Sequence, residues 1–344
     1  MTIQKEKYGE IDETISVYCF TLKNNHGVEI KILNFGGIIT SVKTPDKTGH
    51  LKNITLGYDS LHQYIDDNSY FGAIIGRYGN RIAKGNFTLD NTNYSLAKNN
   101  SPNHLHGGTI GFNKVLWNAK QKTSKNFVSL ELSYKSNDLE EGFPGNLNTT
   151  VVYTLTKDNS LEITYKATTD KKTVVNLTNH TYFNLSGNLN KTILDHEIQI
   201  NANSILPIDE FMIPTGEIKN IGNTPFDFKE FKTIAKDIDT NHKQIEIGKG
   251  FDHCWVLNNQ NRGVRSIAKA YHKDSGRALE VFSDEPGLQF YTGNHLNGKY
   301  QARTGFCLET QHYPDSPNQK KFPTVILNPG ETYISTTSYK FSVK

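Results

Sequence analysis

Two runs carry the side chains best suited to moving protons: Leu308-Glu309-Thr310-Gln311-His312-Tyr313-Pro314-Asp315-Ser316-Pro317-Asn318 and Asn179-His180-Thr181-Tyr182-Phe183-Asn184. A carboxylate and an imidazole can together take one proton from a neutral substrate and deliver another to it. Glu309 follows apolar Phe306-Cys307-Leu308 and precedes a proline-rich turn. Burial disfavours a charged carboxylate, so a Glu on an apolar strand either pairs with a cation or accepts a proton. His180 has Asn179 and Tyr182 beside it, which can fix its tautomer and screen it from water. A lone histidine is more often structural. Here the crowd of polar and aromatic neighbours favours a site, and aromatic faces suit the C–H face of a pyranose.

Other runs add candidate contacts. In Asn103-His104-Leu105-His106-Gly107-Gly108 the two histidines share one face of an extended strand, a pattern that can ligate a metal. No cysteine or close carboxylate completes a ligand set nearby, although distant residues could, so we expect one histidine to face a site and the other to pack or lie exposed. The double glycine marks a close backbone approach or a tight turn. Gly76-Arg77-Tyr78-Gly79-Asn80-Arg81-Ile82 lacks the spacing and the following helix of a dinucleotide-binding loop. An Arg beside an Asn can donate to sugar hydroxyls; either Arg can equally pair with a surface carboxylate. Asp252, in Phe251-Asp252-His253-Cys254-Trp255, can cap a turn or accept from hydroxyls. Gln289, on a strand with the aromatic pair Phe290-Tyr291, would need partners if buried, and a ligand can supply them. There is no Ser-His-Asp order, nucleophile elbow or phosphate loop. Asp252 and Glu309 could instead serve as the two acids of a glycosidase.

The elements that must hold these groups are strands. Leu161, Ile163 and Tyr165 alternate with polar residues, and Val151–Thr156 precedes them across Lys157-Asp158-Asn159-Ser160, which predicts a hairpin. Two more are expected: Phe87–Leu89 with Tyr94–Leu96 about Asp90–Asn93, and Val17–Leu22 with Val28–Leu33 about Asn24–Gly27. Short helices are expected only at Ser60–Ile65 and Phe231–Ile234. Strand–helix alternation is missing, which argues against a parallel α/β fold. No linker, low-complexity tract or repeat divides the chain. The expectation is one all-β domain over residues 1–344; pattern alone leaves sandwich and barrel open.

Bulk properties exclude several function classes. The chain has 344 residues, 35% hydrophobic, with a net charge of +3 and a mean hydropathy of −0.57. That charge, mixed along the sequence, is too weak a field to argue for nucleic acid or membrane partners. The N-terminus has no apolar run behind its charges, so no signal peptide is expected, and no segment reaches membrane-helix length. Cys19, Cys254 and Cys307 are odd in number and widely spaced among apolar neighbours, which reads as buried thiols in a reducing compartment, by default the cytoplasm.

Taken in order, Gly76–Ile82, Asn103–Gly108, Glu140–Asn146, Asn176–Gly187, Phe251–Leu257, Glu280–Asn294, Leu308–Asn318 and Asn328–Tyr333 resemble the galactose mutarotase (aldose 1-epimerase) family across almost the full chain. Each motif alone is weak to moderate; the ordered set is specific. One departure is Gly79, where the family often has Ala before the Asn-Arg pair. The resemblance implies a large antiparallel β-sandwich, the supersandwich of that family, with a sugar-binding cleft. It implies Glu309 as base and His180 as acid, and His106 as the second active-site histidine. Asn80, Arg81, Asp252 and Gln289 match substrate-contacting positions, and Tyr182 a pocket wall. It implies an aldohexose substrate, galactose and with it glucose, without metal or organic cofactor, in a monomer or homodimer. Rival readings are a non-catalytic sugar binder on the same fold, a hexose-6-phosphate 1-epimerase and a hydrolase or lyase. The phosphosugar reading wants a basic cluster beyond Arg77 and Arg81, and none is evident.

Overall fold

Alternation is the rule along this chain, and it yields strands. The computed structural model describes residues 1–344. A nine-stranded and a six-stranded sheet are joined by a five-stranded sheet from the N-terminal 53 residues and by several two-stranded pieces. The strand ladders are antiparallel throughout. The fold is therefore all-β.

The predicted hairpins form. Ile15–Lys23 pairs with Glu29–Leu33, and Leu147–Thr156 with Ser160–Thr169. In the third, Leu89 pairs with Thr92, so Thr92 and Asn93 belong to the strand rather than the turn. Asp90 and Asn91 have φ of +47° and +64°, the backbone that a two-residue hairpin turn requires and that Asp and Asn tolerate.

The helix expectations fare unevenly. Leu61–Asp66 is helical, close to the expected place. Phe231–Ile234 is not: Lys232–Thr233 is a short strand, followed by a 3-10 turn over Ile234–Lys236. A second α-helix, Lys243–Gly248, was not foreseen. Its Ile245 and Ile247 alternate as in a strand, but the His242 side chain accepts from the Gln244 N–H and starts a helical turn. No helix is long and apolar enough to cross a membrane.

One apolar core of 53 buried residues binds the sheets together. It draws Val151, Tyr153, Ile163, Tyr165, Val281 and Tyr339 from the nine-stranded sheet, and Trp255, Leu288, Phe290, Phe306 and Leu308 from the six-stranded one. This parity fixes the chemistry. On Phe306–Gln311, Phe306 and Leu308 enter the core, so Cys307 and Glu309 must point to the opposite face. The register matches Gln289 with Glu309, Tyr291 with both Cys307 and Asp252, and Tyr182 with Cys307. All of them therefore share that second face. A slip of one residue would reverse the arrangement. Core burial of the five apolar side chains is worth ~1.5–3 kcal/mol each. Together they outweigh the several kcal/mol that desolvating one carboxylate costs.

Candidate active site

The face opposite the core opens into a cleft of about 450 Å³, within the ~300–1,000 Å³ common for small-molecule sites. Asn80, Arg81, His106, His180, Tyr182, Asp252 and Glu309 all line it. Gln289 stands directly behind, its Nε2 donating to Asp252 Oδ1 at 2.7 Å. Residues up to 229 positions apart in sequence thus meet in one cavity, since Asn80 and Glu309 are both members.

Each group is held by its own local device. His180 follows the short strand Thr178–Asn179, which pairs with Ile74–Ile75. Arg81–Ile82 pairs with His104–Leu105, bringing the Asn-Arg segment beside the His-x-His segment. Asn80 and His106 then lock reciprocally: His106 N–H donates to Asn80 O at 3.0 Å, and Asn80 N–H donates to His106 Nδ1 at 3.2 Å. Both have left-handed backbones, with φ of +63° and +52°. The next residue must be glycine. A Cβ on Gly107 (φ +87°) would lie 1.8 Å from Gly76 O.

The paired motifs divide between site and scaffold. His106 faces the cleft, while His104 is buried against Phe143 with Nδ1 2.8 Å from Ala97 O. Arg81 lines the cleft and donates from Nε to Asn100 Oδ1 at 3.1 Å. Arg77 is structural: it is buried and donates to Ser136 Oγ and to the carbonyls of Pro144, Gly145 and Asn137. With Arg77 committed, the two arginines do not form a phosphate-binding pair.

His180 Nε2 lies 3.7 Å from Glu309 Oε1, and both side chains are almost fully buried. Burial pushes His180 down to about 4. Burial first, and the Asp252 carboxyl second, hold Glu309 well above the ordinary carboxylate value, against the pull of Arg81. Asp252 is raised by burial too, with Arg81 and Gln289 opposing. Burial thus disfavours the charged form of both groups. Glu309 Oε2 and Gln289 Oε1 are buried without a hydrogen-bond partner. Such orphaned acceptors are costly unless something else satisfies them, and both belong to this site.

His106, His180 and Glu309 offer ligand atoms all within 4.8 Å of one another, so a distant carboxylate does complete a His-His-carboxylate set. The tautomer speaks against a cation. The Asn80 amide occupies Nδ1 of His106, which leaves the hydrogen of the neutral ring on Nε2, where it is a donor and not a ligand. A donor suits a sugar oxygen.

The model of the Aldose 1-epimerase family matches residues 18–340. The chain belongs to the aldose 1-epimerase family. Galactose mutarotase of Bos taurus is 44% identical over 324 residues, 92% of each chain. Aldose 1-epimerase of Escherichia coli K12 is 38% identical over 330 residues, 93% of this chain and 94% of its own. The solved galactose 1-epimerase of Lactobacillus acidophilus superposes with a TM-score of 0.88 at 29% identity, covering 99% of both chains. The activity is that of an aldose 1-epimerase, an isomerase that exchanges the α and β anomers of an aldose.

Sequence reasoning missed part of this epimerase cleft. Tyr70, Tyr291, His295 and the Phe211–Met212 rim also line it. Tyr291 had a signal, as the partner of Phe290 on the Gln289 strand and two residues from Gln289 on the same face. Tyr70 had none: only the fold brings its ring to the histidines, with centroids 4.7 Å from His106 and 5.8 Å from His180.

Proposed function

We propose that this cleft interconverts the anomers of D-galactose, and of D-glucose with it, using Glu309 as base and His180 as acid. Glu309 takes the proton of the anomeric hydroxyl as the C1–O5 bond breaks, and His180 protonates the ring oxygen. The open-chain aldehyde rotates about C1–C2. Reclosure on the other carbonyl face returns both protons. Each transfer is worth ~10²–10⁴-fold, a sufficient scale for a reaction that already proceeds unaided.

The observation that carries this reading is the buried Glu309–His180 pair, separated by 3.7 Å with one carboxyl oxygen unpartnered. That gap exceeds a hydrogen bond, so neither group is committed to the other and both can bond to sugar oxygens lying beside them in the cleft. The pair holds one proton. In the productive arrangement that proton sits on His180, and Glu309 is free to accept another. The two groups therefore titrate as a unit. Arg81, Asn80, Asp252 and the Nε2–H of His106 hold the remaining hydroxyls, Gln289 supports Asp252 from behind, and Tyr182 forms a wall. Contacts near C1 must permit rotation, so ground-state affinity is expected to be weak.

The same reading takes residues 1–344 as one catalytic domain, monomeric or homodimeric, without nucleic acid or membrane partners. Cys19, Cys254 and Cys307 are free and buried, which accords with a cytoplasmic setting. The test is polarimetry of freshly dissolved α-D-galactose with the wild-type protein, with Glu309→Gln and with no protein. Fast equilibration by wild type and blank-like decay with the variant is expected. Equal acceleration by both proteins would remove Glu309 from the base role.

A further inference from the structure

Tyr70 is one of the cleft residues that the proton-transfer scheme leaves unused. Its backbone is left-handed, with φ at +60°, where an aromatic residue is an outlier. Asp67 holds it there. Its Oδ1 accepts the Ser69 N–H at 2.8 Å and the Tyr58 hydroxyl at 3.0 Å, and its Oδ2 accepts the Phe71 N–H at 3.4 Å. The same turn grips the His180 peptide from both sides. Gly72 N–H donates to His180 O at 3.0 Å, and His180 N–H donates to Ala73 O at 3.0 Å. Asn179 Nδ2 adds a bond to Gly72 O at 3.0 Å. One short segment therefore fixes the backbone of His180 and presents a ring to its side chain.

That ring lies 29° from parallel to His180 at 5.8 Å, and tilts 59° against His106 at 4.7 Å. Tyr182 and Tyr291 also meet His180, at 4.9 and 6.4 Å. Tyr70 alone among the cleft's tyrosines meets both histidines. An unfavourable backbone kept in place by so many bonds belongs where geometry matters to function.

We propose that Tyr70 is a positioning residue, which holds the rings of His106 and His180 in register and keeps water from His180. This rests on the assignment of His180 as the acid. The groups facing His180 are Glu309 and Cys307 from one strand, His106 from its loop, Tyr182 from its own segment, Tyr291 from the neighbouring strand, and Tyr70. Removing the Tyr70 ring changes none of the other groups in that list; it opens His180 to solvent and loosens both imidazoles.

The decisive variant is Tyr70→Gly, because glycine adopts the left-handed backbone without strain. Tyr70→Asn, which also tolerates that region, serves as a second ring-less variant should glycine loosen the turn. We expect kcat/KM to fall about 10- to 100-fold, mainly through kcat, as for other small misplacements of catalytic groups. In NMR titration the His180 imidazole of the variant should protonate at higher pH than in wild type. The acid limb of the pH–rate profile should move with it. Tyr70→Phe, which keeps the ring, should recover most of the lost rate and the wild-type titration. A folded Tyr70→Gly protein with unmoved His180 titration and acid limb would overturn the proposal. Glu309→Gln, assayed in parallel, separates the two readings. If it stays active while Tyr70→Gly shifts His180, the acid–base assignment falls and the contact role stands. If it is inactive while His180 does not move, the positioning role falls alone.

Discussion

Two carboxylate–histidine pairs in the molecule have a buried carboxylate, and they are built to opposite specifications. Glu285 Oε2 lies 2.6 Å from His312 Nδ1. The Tyr333 hydroxyl donates to Glu285 Oε1 at 3.1 Å, and the His312 N–H is fixed on Asn176 Oδ1 at 2.9 Å. Both carboxyl oxygens are satisfied, and Glu285 holds His312 above the ordinary imidazole value despite burial. Three residues before His312, Glu309 faces His180 across 3.7 Å with Oε2 unpartnered, and burial drives this pair toward its neutral forms. The first pair is complete without a ligand and works as a staple. The second is incomplete, and its free carboxyl oxygen is where the proposed mechanism places a substrate hydroxyl. An imidazole and a buried carboxylate are common to both; hydrogen-bond saturation separates the scaffold from the site.

The largest expected effect comes from breaking the open pair. Glu309→Gln should lower turnover by ~10²–10⁴-fold, read by polarimetry, and leave the melting temperature near wild type. Breaking the closed pair should do the reverse. Glu285→Gln leaves the partly buried His312 without its counter-charge, a change worth about 1.5–3 kcal/mol, the scale of one hydrogen bond to a charged group. Urea unfolding should show that loss while activity per folded molecule stays within a few-fold. An active Glu309→Gln protein, or a fully stable Glu285→Gln protein, would dissolve the distinction. A smaller effect sharpens it. Gln289→Leu removes the amide that supports Asp252 and the orphaned Oε1. Initial rates against galactose concentration should show KM raised by up to about tenfold, the scale of one neutral hydrogen bond, with kcat little changed.

Much of this was legible in the sequence, for reasons that differ by element. Strand alternation at Leu161–Tyr165 survives in the structure because one face meets the core and the other does not. The Asp90-Asn91 turn was readable because few residue types accept its backbone. Glu309 announced itself by the conflict between its charge and its apolar neighbours. Sandwich against barrel was not readable, since the closure of sheets depends on contacts far apart in the chain. The helix at Lys243–Gly248 was hidden by its alternating isoleucines and decided by a cap from His242. The partition between Arg77 and Arg81 was equally hidden: the carbonyls that bury Arg77 come from Asn137–Gly145, some 60 residues away. Tyr70 reaches the histidines only through the turn that Asp67 pins, and nothing in its neighbours' types signals that.

The smallest effect is the pH response, and it should separate the pairs without abolishing either. His312 has a folded pKa above the ordinary imidazole value of 6.5. The native state therefore binds more protons than the unfolded chain between those two values. By linkage, its contribution to stability is complete below 6.5 and fades as pH rises through the folded value. The open pair acts in other windows. Activity should fall on the acid side as His180 takes up a second proton near about 4. It should fall on the alkaline side as Glu309 loses the shared proton, above the ordinary carboxylate range. Urea midpoints of wild type and His312→Gln, compared from pH 6 upward, should converge as the staple discharges. Between the two limbs set by the open pair, kcat/KM of both proteins should trace the same bell. Parallel midpoints, or a bell displaced by His312→Gln, would mean that the two pairs share one titration and that scaffold and site are not electrostatically separate.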